Sequence, residues 1–73
     1  MVDKITKEQL EELEEAEFFG EYHKLLKDYT GIVAKPYTEY SYYDAAGNYI
    51  GDSNCNDVQD LLKCAYIEVV DNG

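Results

Sequence analysis

Residues 37–51, YTEYSYYDAAGNYIG, carry the clearest tertiary signal in the chain. Tyrosine and threonine fit a pleated, half-covered surface, and Tyr37, Tyr40, Tyr42, Tyr43 and Tyr49 all fall here. Asp44-Ala45-Ala46-Gly47 reads as a type I turn with aspartate first and glycine at the left-handed bulge position. The stretch therefore predicts a β-hairpin, with strands over 37–43 and 48–51. Just upstream, Lys35-Pro36 disfavours helix and starts the extended segment. Alternation puts Tyr40 and Tyr42 on one face and Tyr37 and Tyr43 on the other. A two-stranded ribbon cannot bury every ring. One set is expected to pack on helices, or to compensate for a core without tryptophan, and the other to offer flat, amphipathic contact area. Tyr40 and Tyr42 are expected to be the exposed set, with Asp44 at the hairpin tip.

Toward the N-terminus, Thr6 with Gln9 forms a capping-box pattern. Residues 7–29 hold strong helix formers and no proline. Thr30-Gly31 ends this region, with Gly31 left-handed and Ile32 folding back on Leu26. At 100° per residue, Phe18, Tyr22, Leu25, Leu26 and Tyr29 share a stripe that Leu10 and Leu13 miss. The helix is therefore expected to bend, or to divide in two, near Gly20. Toward the C-terminus, Asp52 to Asn56 is turn and cap material, and Asn56 with Gln59 gives a second capping-box-like start. Val58, Leu61, Leu62, Ala65, Tyr66 and Val69 lie within one helical arc, which predicts a helix to about Val70. A strand over 66–70 competes, on its β-branched residues. The expected fold class is α+β: an N-terminal helix or helix pair, a β-hairpin and a C-terminal helix, in a single domain spanning 1–73.

At 73 residues and 8.4 kDa, folding hides only about 60% of the chain's surface, so a deep enclosed active site is hard to build. Hydrophobic residues make up 45%, too many for a chain disordered by composition. No apolar run is long enough for a membrane span or a signal-peptide core. Cys55 and Cys64 do not make a disulfide framework. On a helix they would lie about 13 Å apart along the axis and on opposite faces. Reduced cysteines point to a cytosolic protein.

Candidate chemistry is thin. His23 is the single histidine, with no serine elbow or phosphate-cradling loop beside it. Asp52, Asn54 and Asn56 mimic the start of an EF-hand loop, but Asp57 replaces its glycine and Lys63 its bidentate glutamate. Zinc would need Cys55, Cys64, His23 and a carboxylate, without a close-spaced cysteine pair. No enzyme activity, cofactor or metal is expected.

The charge is another matter. Sixteen acidic residues stand against six lysines and no arginine, for a net charge of −10. Glu8, Glu11, Glu12, Glu14, Glu15, Glu17 and Glu21 fall within fourteen residues that hold no basic side chain. Carboxylates three or four residues apart repel by a few tenths of a kcal/mol each. One reading is a solvated face that aids solubility. The other is a row of anions about 5–6 Å apart, a spacing close to that of phosphates along a nucleic-acid strand. Such a balance argues against direct binding to nucleic acid or an anionic membrane, and for a basic protein partner.

In size and composition this small, acidic, tyrosine-rich, arginine-free chain resembles the phage-encoded inhibitors of host defence. These include anti-CRISPR proteins, anti-restriction proteins and uracil-DNA glycosylase inhibitors. The resemblance rests on Glu8 to Glu21 and Tyr37 to Gly51, with no family motif. It implies a non-enzymatic inhibitor in the host cytoplasm that covers the groove of a basic nucleic-acid-handling protein, such as a CRISPR effector, several such inhibitors being DNA mimics. The expected contact residues are Glu11, Glu12, Glu14, Glu15, Glu17, Glu21, Tyr40, Tyr42 and Asp44. The competing reading is a non-mimic interaction protein (a transcription modulator, adaptor or antitoxin) that uses an apolar or tyrosine surface.

Overall fold

A computed structural model describes residues 2–54 and 56–71, so the expectation for Cys55 lies outside the described residues. The order is β1 (Lys4–Thr6), α1 (Lys7–Glu15), α2 (Phe19–Thr30), β2 (Val33–Pro36), β3 (Tyr40–Tyr43), β4 (Tyr49–Asp52), α3 (Val58–Cys64) and β5 (Glu68–Val70). The fold is α+β, with a three-stranded antiparallel sheet in the order β2-β3-β4 and a parallel pair, β1-β5.

The turns follow from their residues. The Thr6 hydroxyl accepts from the Gln9 amide while the Gln9 side chain accepts from the Thr6 amide, the reciprocal cap expected for α1. Gly31 is left-handed at φ 78° and its amide donates to the Lys27 carbonyl, which ends α2 as expected. In the hairpin the Gly47 amide donates to the Asp44 carbonyl at 3.0 Å, with Gly47 at φ 91°. The β3-β4 register shifts after Tyr42, leaving Ile50 as an extra residue that turns into the interior.

The N-terminal region is two helices, one of the two expected arrangements, with the break at Ala16 to Phe18 and Gly20 in the first turn of α2. Three expectations need correction. Residues 37–43 are not one strand, since β3 begins only at Tyr40. Pro36, which lacks an amide hydrogen, closes β2, and the chain reverses through Tyr37 to Glu39, where the Tyr37 amide donates to the Glu39 carbonyl. The cap of α3 is Asp57, reciprocally bonded with Asp60. The Asn56 side chain instead turns back to accept from the Asp52 amide. Finally, α3 stops at Cys64 and does not reach Val70; the competing strand reading of 66–70 holds over residues 68–70. A Schellman closure ends the helix: the Ile67 amide donates to the Leu62 carbonyl at 2.8 Å and the Tyr66 amide to the Lys63 carbonyl at 3.1 Å. Tyr66, at φ 58°, occupies the left-handed position. The strand so released pairs in parallel with β1, Ile5 opposite Val69.

Ile5, Leu13, Leu26, Ile32, Tyr42, Ile50, Val58, Leu61, Leu62 and Ile67 form one buried cluster to which every helix contributes. α1 and α2 each give this cluster one residue, Leu13 and Leu26, and α3 gives it three. Leu10 packs partly against it from α1, whose glutamates all face outward. Among the described residues, no helix is long and apolar enough to cross a membrane.

Candidate functional site

The expected glutamates run from the middle of α1 across its junction with α2 into the first turn of α2. Glu11, Glu12, Glu14, Glu15, Glu17 and Glu21 are all exposed, and none forms an ion pair among the described residues. Two hydrogen bonds fix part of the array. Tyr29 of α2 donates its hydroxyl to Glu12, and Gln59 of α3 reaches Glu14 at 3.5 Å. The bond to Glu12 is also the main reason the Tyr29 hydroxyl holds its proton above the usual phenol range.

Helix polarity divides these carboxylates into two sets. Glu17 and Glu21 lie at the N-terminus of α2, which has no side-chain cap, and negative charge is favourable there. Glu14 and Glu15 close α1 at its negative end, with no basic residue in the last turn. Charge there opposes the helix dipole and the carboxylates one turn back.

Two grooves flank the junction. One, of about 340 Å³, is lined by Glu12, Glu15 and Glu21 with Leu25 and Tyr29 behind them. The other, of about 400 Å³, has an apolar floor that includes Leu13, Tyr22, Tyr42 and Val58, and carries Glu14, Glu17 and Asp57. Phe18 and Phe19 flank this second groove and remain 71% and 56% exposed. Phe18, expected in the apolar stripe with Tyr22 and Leu26, is instead the extended N-cap residue of α2 and lies outside that stripe.

The tyrosine expectation is reversed. Tyr42 is 2% exposed, and Tyr40 is half-buried with its ring 4.4 Å from that of His23. The face carrying Tyr40 and Tyr42 is the one that α2 covers. It can take a phenol into the interior because His23 Nε2 shares a 2.9 Å hydrogen bond with the Tyr42 hydroxyl. Burial raises the Tyr42 phenol and lowers the His23 imidazole relative to their ordinary values. Tyr22, beside them, is held strongly protonated by burial, with Tyr42 and Asp57 adding to the effect. The exposed hairpin tyrosines are Tyr37 and Tyr49, 66% and 58% accessible. Tyr42 is thus a floor residue of the second groove, while Tyr40 packs against Phe19 and His23.

Asp44 sits at the hairpin tip, but its carboxylate works inside the turn. The backbone amide of Asn48 holds it below the ordinary carboxylate value, helped by the Asn48 side chain and the Ala46 amide. A partner would meet a carboxylate already supplied with three donors. His23 is enclosed by Phe19, Tyr22, Tyr40 and Tyr42, and among the described residues no His, Cys, Asp and Glu side chains gather in a way that could hold a metal ion. Comparisons with protein-family models, with curated proteins and with solved structures gave no match.

Proposed function

We propose that this protein is a non-enzymatic, acidic inhibitor that occupies the cationic groove of a nucleic-acid-handling protein in the host cytoplasm, a CRISPR effector being a suitable target. Effectors of that kind line their heteroduplex channel and PAM site with lysine and arginine. Net charge would speed the encounter, and exposed ion pairs alone would add little hold once formed.

The observation that carries this reading is the array from Glu11 to Glu21. Six exposed carboxylates, none ion-paired among the described residues, run from the middle of α1 to the first turn of α2, two of them at a helix end where their charge opposes stability. Solubility would be served as well by charges spread where they cost nothing. A cationic groove needs them together.

Phe18 and Phe19 favour a second reading, a non-mimic interaction protein that binds through an apolar surface, because large exposed aromatics side by side mark contact sites. Capture of partners from host lysate separates the two. Acidic recognition predicts nucleic-acid-binding proteins retained at about 0.05 M salt and released near 1 M, where screening acts within about 3 Å. It also predicts their loss when Glu11, Glu12, Glu14 and Glu15 are changed together to lysine. Partners that survive both treatments would establish the apolar reading instead.

A further inference from the structure

The 400 Å³ groove beside Phe18 and Phe19 has a composition that selects its occupant. Its floor is apolar, and its volume lies at the lower end of the about 300–1,000 Å³ typical of ligand clefts. Its charged lining residues are Glu14, Glu17 and Asp57, and no lysine lines it. Three full negative charges oppose an anion there and outweigh the partial positive charge of the α2 N-terminus. The nearby imidazole of His23, stacked on Phe19 at 5.4 Å, is kept toward its neutral form by burial and adds no opposing positive charge.

We propose that this groove docks an arginine side chain from a basic segment of the target, resting on the reading that the partner is cationic. Guanidinium is planar, weakly hydrated and forked. It can lie against an aromatic ring while its N–H donors reach carboxylates at the groove's edge. Phe18 and Phe19 offer the rings, and Glu14 and Glu17 the acceptors. An ammonium group is a more strongly hydrated point charge and would lose more on entering the same site. A second copy of this chain is a poor occupant, since it has no arginine and each copy carries a net charge of −10. The groove also adjoins the glutamates of α1, so neighbouring basic residues of the same segment would meet that array. The aromatic pair then gives a hydrophobic anchor to an interface that charge alone would hold weakly.

The test is a titration of the full chain with a blocked Gly-Arg-Gly-Arg-Gly peptide at about 0.05 M salt, followed by amide NMR. Lysine and citrulline versions of the peptide serve as comparisons. The expected result is perturbation centred on Glu14, Glu17, Phe18, Phe19 and Asp57, with the arginine peptide bound about fivefold more tightly than the lysine peptide and the citrulline peptide hardly at all. Phe18→Ala, at a largely exposed position, should weaken the arginine peptide about fivefold, whereas Glu39→Gln, which removes the same charge as a groove glutamate would but elsewhere, should leave it within about twofold. Equal binding of the three peptides, perturbation lying away from the groove, or a Phe18→Ala variant that binds normally would overturn the assignment. If Phe18→Ala leaves lysate capture unchanged while the four-lysine variant abolishes it, arginine docking fails and acidic recognition stands. Groove-centred peptide binding together with salt-insensitive capture would leave the docking site in place and remove the acidic reading.

Discussion

The amide of Ile67 donates to the carbonyl of Leu62 at 2.8 Å, and this closure turns the chain out of α3 and into β5. Both side chains are buried, so the turn also seals an apolar contact at the helix end. Of the three residues between helix and strand, Tyr66 is left-handed at φ 58° and 90% exposed. Glycine usually occupies this position because it lacks a Cβ. Tyr66→Gly should therefore stabilise the protein by about 0.5–1 kcal/mol, the relief of backbone strain exceeding the added freedom of the unfolded chain. A rise of about 3–6 °C in melting temperature is the expected reading. A fall would mean that the exposed ring contributes packing energy after all.

Gly51 carries the opposite expectation. It sits at φ 150°, and a Cβ there would run into the Asn56 side chain, 2.8 Å from Cγ. That side chain accepts from the Asp52 amide and secures the exit from β4. Gly51→Ala should destabilise by about 2 kcal/mol, combining strain with the displaced hydrogen bond. Urea titration should show a lower midpoint with an unchanged slope.

His23 links stability to pH. Burial lowers its pKa below the ordinary 6.5, so the unfolded chain takes up a proton more readily than the folded one. The stability it supports is complete above about pH 6.5 and declines as pH falls through and below that value. No carboxylate makes contact with the ring among the described residues, where Phe19, Tyr22, Tyr40 and Tyr42 surround it. His23→Gln should flatten the change in melting temperature between pH 7 and pH 5.5, whatever its effect at neutrality. An unaltered slope would assign that pH dependence to other groups.

Glu15 tests whether the acidic array carries a stability cost. It ends α1 at the negative pole, one turn from Glu11 and Glu12. Glu15→Gln should raise stability by about 0.5 kcal/mol at low ionic strength, with the gain disappearing near 1 M salt. The same change should weaken partner capture. A variant less stable at low salt would show that Glu15 has a stabilising role in the fold.

What was legible in the chain was what neighbouring residues decide. Thr6 with Gln9, Gly31 after Thr30, and Asp44 with Gly47 each satisfy nearby backbone groups with their own chemistry, and each was readable without tertiary context. The three-residue strand β1 was not, because it is too short to alternate and its partner, β5, lies at the other end of the chain. The end of α3 was missed because tyrosine took a glycine's place. Tyr40 and Tyr42 were correctly put on one face, but the sequence could not say that His23 would cap the Tyr42 hydroxyl and draw that face inward. The glutamates were legible as exposed helix residues, since a helix with one buried leucine has little else to hide. The groove between them was not, because Asp57 and Tyr42 come from distant parts of the chain.

The most direct test of acidic recognition is displacement of nucleic acid from the captured target. A labelled duplex or guide complex bound to that protein is titrated with the wild-type chain and with the variant bearing lysine at positions 11, 12, 14 and 15. The account predicts stoichiometric release by the wild type, progressively weaker as salt rises, and no release by the variant. A stable ternary complex, in which the target holds its nucleic acid and this protein at the same time, would contradict it.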